Sequence, residues 1–214
     1  SGTAITRIAN PATDKPNASP GMLLTIYGTQ LANTSQIATP TPPSFSLAGV
    51  TATVNGLPAP VLLVDPNQIN IQIPYEAGAG PAVLGINKNG EIAGCQFTLG
   101  PASPGVYADP NLSAKQGGYG TVYVAGIGET TPALRTGFTA PANTPASALA
   151  RPALPLSVTI GGEPAFVQFA GVPAGLIGVA QVNFLVPADM PSGPQPLVVT
   201  VGGVSSAPVM LNVQ

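Results

Sequence analysis

The sequence predicts an all-β chain folded as two tandem immunoglobulin-like β-sandwiches. Three observations predict it: an internal repeat, period-two alternation of apolar residues, and a regular supply of turn dipeptides. The repeat is direct. Thr53-Val-Asn-Gly-Leu-Pro-Ala-Pro-Val61 returns as Thr159-Ile-Gly-Gly-Glu-Pro-Ala-Phe-Val167, identical at five of nine positions. Gln68-Ile-Asn-Ile-Gln-Ile-Pro74 returns as Gln181-Val-Asn-Phe-Leu-Val-Pro187, and Thr25-Ile-Tyr-Gly-Thr-Gln-Leu31 as Thr121-Val-Tyr-Val-Ala-Gly-Ile127. Three blocks recurring in one order describe a duplicated unit of domain size. The boundary falls in Gly100-Pro-Ala-Ser-Pro-Gly105, dividing the chain into 1–102, with an N-terminal extension over 1–20, and 103–214.

Helical periodicity is absent, because Gly and Pro interrupt every stretch that could carry it. Strand alternation recurs instead. Val50, Ala52 and Val54 share one face, as do Ile69, Ile71 and Ile73, with Asn70 and Gln72 opposite. In the second unit Val182, Phe184 and Val186 repeat the pattern, and 197–201 and 209–213 supply closing strands. Such strands bury one face and leave the other polar. Asn55-Gly56, Asn89-Gly90, Gly161-Gly162 and Gly202-Gly203 are two-residue hairpin signals, since both central positions tolerate positive φ. Short strands at this spacing argue for about seven per unit. Asp65-Pro-Asn67 and Asp109-Pro-Asn111 read as Asx turns. The Pro-rich tracts 38–46 and 140–155 are matching ordered loops.

Composition excludes several functions. The 214 residues include 26 Gly and 26 Pro, only 7% are charged, and the net charge is -2. The 44% hydrophobic content argues against disorder. No basic patch exists, so nucleic acid is not an expected partner. No apolar run is long enough to span a membrane, and no leader is recognisable at Ser1. With no His, Ser-His-Asp and Cys-His arrangements are impossible. The acids are scattered, so neither a catalytic pair, a metal cluster nor a cofactor is expected. Cys95, the single cysteine, reads as a small strand residue. Asn17, Asn33 and Asn111 stand in glycosylation sequons.

Two features invite a sharper reading. The segment Ala4, Ile5, Thr6, Arg7, Ile8 has strand character; it is either the first strand of unit one or a strand donated to the sheet edge of another copy. The interval from Thr159 to Gln181 exceeds that from Thr53 to Gln68 by seven residues, an apolar insertion containing Val172, Leu176 and Ile177. It is a plug between the units or an exposed protein contact. Asn70 and Asn183, each two residues after a Gln, form either a recognition stripe or structural hydrogen bonds, and Tyr27 and Tyr123 recur in register as a fold feature.

The repeat blocks, with Ser19-Pro-Gly21 and Pro66-Asn67 in unit one and Val158-Thr-Ile-Gly-Gly162 and Gly178-Val-Ala180 in unit two, resemble a family of secreted bacterial proteins. This is the uncharacterised C-terminal domain of Solibacter-type proteins, abundant in Acidobacteria. The resemblance implies a fold and an extracellular or cell-surface setting, with no catalytic residue. The resulting expectation is a non-enzymatic structural or adhesive surface protein, self-assembling as a homo-oligomer, filament or layer. The alternative is a carbohydrate or cell-wall polysaccharide binding module, which requires an exposed aromatic platform. Five Tyr, six Phe and no Trp, few of them in predicted loops, weigh against that alternative.

Overall fold

A computed structural model describes residues 2–39 and 43–214. The fold is all-β, with two immunoglobulin-like sandwiches in tandem. In the first unit one sheet runs Ala4–Ala9, Leu23–Thr29, Gln68–Gln72, Val61–Asp65, Gln36–Ile37. The facing sheet runs Glu91–Leu99, Gly80–Lys88, Val50–Val54, Ser46–Leu47, with Leu57–Ala59 also paired to Val50–Val54. Val50, Val54, Ile69, Ile71 and Ile73 are fully buried between these layers, as their alternation requires. Of the predicted loop 38–46, residues 40–42 lie outside the described residues; Ser44 bridges Val61.

The second unit follows the same plan with one difference. Its strands form a continuous path: Gly105–Val106, Tyr119–Ala125, Val179–Leu185, Glu163–Gly171, Leu156–Ile160, Gly193–Val201, Val209–Val213, Ser113–Ala114. Strand Glu163–Gly171 links the two layers. Its first residues pair with Leu156–Ile160 and the remainder with Val179–Leu185. In unit one the equivalent stretch breaks at Pro60 into Leu57–Ala59 and Val61–Asp65, because proline has no N–H for a ladder. Both copies keep the same irregularity. The register slips at Leu62 in unit one and at Gln168 in unit two, equivalent positions in the repeat. A shared bulge is a signature of common descent of the two units, since bulges are inherited features of a fold.

All four predicted hairpin dipeptides have positive φ at both residues, from Asn55 (52°) and Gly56 (79°) to Gly202 (57°) and Gly203 (82°), the backbone of a type I′ turn. Both Asx turns are present: the Asn67 amide donates to Asp65 Oδ1 at 3.0 Å, and the Asn111 amide to Asp109 Oδ1 at 2.8 Å. Tract 140–155 is ordered by a short 3-10 turn at Ala146–Ala148 and by strand Arg151–Pro152, which pairs with Thr130–Thr131. Cys95 lies on a strand, half-buried, with its thiol pKa raised by desolvation.

The units are clamped together. Gln72 is buried, with its amide nitrogen donating to the Gly21 carbonyl (3.0 Å) and its oxygen accepting from the Gly137 amide (2.7 Å). The Tyr75 amide donates to the Thr136 hydroxyl at 3.0 Å, and that hydroxyl donates to the Glu76 carboxylate. Ala125, on a unit-two strand, is fully buried and packs in the core of unit one. Burial pushes the Glu76 carboxyl up, but the Thr136 hydroxyl, the backbone amides of Glu76 and Thr136 and nearby Arg135 outweigh it and hold the group below its ordinary range. A carboxyl lowered by folding stabilises the fold fully above its unfolded value; that contribution disappears as pH falls through the lower folded value. Glu76→Ala is therefore expected to destabilise by about 1 kcal/mol at neutral pH. Thermal melts of the two proteins should converge as pH drops below the ordinary value of 4.5.

Candidate functional site

The segment Tyr119-Gly-Thr-Val-Tyr-Val-Ala125 alternates, so Val122 and Val124 enter the core while Tyr119, Thr121 and Tyr123 stand on the outer face. Pairing with Val179–Leu185 and Glu163–Gly171 sets three rows across that face. They are Tyr119–Leu185–Phe166, Thr121–Asn183–Phe169 and Tyr123–Gln181–Gly171. Tyr119, Tyr123 and Phe166 are 58%, 44% and 65% exposed. Along the strand the two tyrosines are about 13 Å apart.

The polar centre of the face is fixed internally. Gln181 Nε2 donates to Asn183 Oδ1 at 2.9 Å, and the Thr121 hydroxyl donates to the same oxygen at 3.0 Å. The amide hydrogens of Asn183 and the Gln181 oxygen have no partner among the described residues. The bulge at Gln168 turns Phe169 toward a cleft of about 370 Å³ bounded by Leu149, Arg151, Gln168, Phe169, Gln181 and Asn183. The Arg151 guanidinium lies over the Phe169 ring, 5.1 Å from its centroid, within cation–π range. No carboxylate lines the cleft.

Unit one carries the same face, and there its flanking positions are covered. Gln68 Nε2 donates to Asn70 Oδ1 at 3.0 Å, repeating the Gln181–Asn183 bond. The neighbours differ. Tyr27, the counterpart of Tyr123, lies under Arg7 at 3.8 Å, and Arg7 is paired with Asp14 at 2.7 Å. Pro60 and Leu63 replace Phe166 and Phe169. Leu23, counterpart of Tyr119, meets the unit-two loop: a Cβ on Gly178 would come within 3.0 Å of its side chain. One copy of the face thus serves the joint between units, and the other is open to solvent.

The segments singled out in the sequence have defined places. Ala4, Ile5, Thr6, Arg7 and Ile8 form the first strand of unit one, paired antiparallel with Leu23–Thr29. Its free edge is bulged between Ile5 and Arg7 and carries the Arg7–Asp14 pair. Bulges and charges are how edges resist addition of a further strand, so this edge is poorly suited to polymerisation. Val172 and Ile177 are buried, Val172 in the second core, while Leu176 is 37% exposed. Gly178, at the end of the insertion, lies against Gly21 and Leu23 of unit one. Tyr27 and Tyr123 recur on outer faces, not as core anchors. The Gln–Asn pairs bond along their own strands, and Asn183 also accepts from Thr121 on the neighbouring strand. The alternation of 119–123 puts two tyrosines on one sheet face; that Phe166 and Phe169 join them follows only from strand pairing.

No protein-family model and no curated protein matches this chain. Solved structures similar to it include a Bacteroides ovatus mixed-linkage glucan utilization locus protein, SGBP-B, crystallised with a heptasaccharide. It shares 14% identity over 99% of this chain and 45% of that one, with a TM-score of 0.45. A Bacteroides uniformis SGBP-B from a xyloglucan utilization locus shares 15% identity over 96% of this chain and 48% of that one, with a TM-score of 0.27. Titin immunoglobulin tandem domains share 9% identity over 92% and 90%, with a TM-score of 0.27. The chain spans less than half the length of the two Bacteroides proteins. Among the described residues no helix is long and apolar enough to cross a membrane, and no group of three or more potential metal ligands comes together.

Proposed function

We propose that this chain is a non-enzymatic glycan-recognition module of the extracellular or cell-surface kind, which holds a polysaccharide across the outer face of the second sandwich. One observation carries the reading: exposed aromatic rings and a pre-bonded amide stripe meet on one open face, while the twin face in unit one lacks exposed rings. Pyranose rings present apolar C–H faces and a rim of hydroxyls. Tyr119, Tyr123 and Phe166 suit the first, and Asn183, Gln181 and Thr121 the second. The bonds among the amides hold them in place before binding, which lowers the ordering cost.

The test is affinity electrophoresis and calorimetry against a panel of soluble neutral and acidic polysaccharides. Asn183→Ala is expected to weaken binding by about tenfold, the cost of one lost set of hydrogen bonds to ligand. Asn70→Ala, the matching change in unit one, is expected to leave binding unaltered. Equal loss from both changes, or no retention by any polysaccharide, would overturn the reading.

A further inference from the structure

Resting on that reading, we infer that the glycan is acidic, and that Arg151 is the residue that selects its carboxylate. This chain has only six Lys and Arg, and one of them, Arg151, lines the cleft on the open face. Arg151 has no carboxylate partner among the described residues, whose ion pairs are Arg7–Asp14 and Lys88–Glu91. Its guanidinium lies over the Phe169 ring instead. A guanidinium held by a ring and by no carboxylate keeps N–H donors for a ligand, and those donors grip a carboxylate through two parallel hydrogen bonds.

The surroundings suit an acidic sugar. Gln168, Gln181 and Asn183 share the cleft with Arg151, so hydroxyl partners lie beside the cationic one. No acidic side chain lines it, so an incoming carboxylate meets no like charge there. Elsewhere the protein is weakly acidic, with a net charge of -2, and that field is screened beyond about 8 Å at physiological salt. Selection is therefore local. The twin face offers no such group: the cation on it, Arg7, is tied to Asp14 and lies on Tyr27. The ligand class assigned is a polysaccharide containing hexuronic acid, bound at one uronate per protein.

The experiment compares polygalacturonate and alginate with the same polymers after their carboxyls are reduced to neutral alcohols, using the intact chain. The native protein is expected to bind the acidic forms about tenfold more tightly than the reduced ones, with affinity falling as salt rises. Arg151→Gln is expected to abolish that preference, so that acidic and reduced polymers bind equally; Arg151→Lys is expected to restore part of it. Since Arg151 is exposed, melting temperature should be unaffected in both variants. Equal binding of acidic and reduced polymers, or an Arg151→Gln protein that keeps its preference, would overturn the inference and leave glycan recognition standing. Failure to bind any polymer, acidic or neutral, would overturn both.

Discussion

Replacing Tyr119 and Tyr123 together by threonine is expected to weaken polysaccharide binding by about 30- to 100-fold, the effect of losing about 2–3 kcal/mol of stacking and apolar contact. Threonine is β-branched and, like tyrosine, favours a strand, so the change removes rings without weakening the ladder. Both tyrosines are largely exposed, at 58% and 44%, and the protein should lose less than about 1 kcal/mol of stability. The control is built into the repeat. Tyr27→Thr removes the equivalent ring in unit one, where Arg7 covers it at 3.8 Å, and should leave binding intact while costing the cation–π contact. Calorimetry of three proteins on one polymer decides the matter: a double variant that binds within threefold of the native protein would remove the outer face as the site.

How much of this could be read in the sequence depends on distance along the chain. The buried faces were legible, because Ile69, Ile71 and Ile73 declare their side by period two alone, and all three are fully buried. The four hairpins were legible for the same local reason, positive φ being a property of Asn-Gly and Gly-Gly dipeptides. The continuous strand Glu163–Gly171 and its broken twin at Pro60 were half legible: the proline was visible, its meaning as a change of layer was not. What stayed hidden was which copy of the outer face would be open. Two nonlocal events cover flanking positions of the face in unit one: Arg7 folding over Tyr27, and the Gly178 loop, from 155 residues further along the chain, meeting Leu23. The repeat made the two faces look equivalent, and only the packing of one unit on the other distinguishes them. Polymerisation through Ala4–Ile8 looked attractive for the converse reason. An apolar terminal strand is visible in sequence, whereas the bulge and the Arg7–Asp14 pair that guard its edge appear only in three dimensions.

The largest stability effect is expected at Phe184. Its ring is fully buried near the end of strand Val179–Leu185 and rests on Gly120 so closely that a Cβ there would lie 2.5 Å from the ring. Phe184→Ala removes that ring from a tight niche, and the expected loss is about 3–5 kcal/mol, transfer and cavity together. Against a typical total of about 5–15 kcal/mol for a domain, this is enough to unfold the second unit under mild denaturant. Unit one has its own core of Leu24, Ile26, Ile69 and Ile71 and should outlast it. The clamp gives the separation a readout. When unit two opens, Gly137 releases Gln72 and Thr136 releases the Tyr75 amide, so amide exchange should speed up at Tyr75 while Ile69 and Ile71 stay protected. Gly120→Ala attacks the same contact from the other side, by overpacking, and should cost about 1–3 kcal/mol. Phe184 also lies between Asn183 and Leu185, the central residues of two outer rows. Its loss should therefore loosen the amide stripe and weaken polysaccharide binding even under conditions where the variant remains folded. A variant that lost stability yet bound at native strength would mean that the face does not depend on the core beneath it.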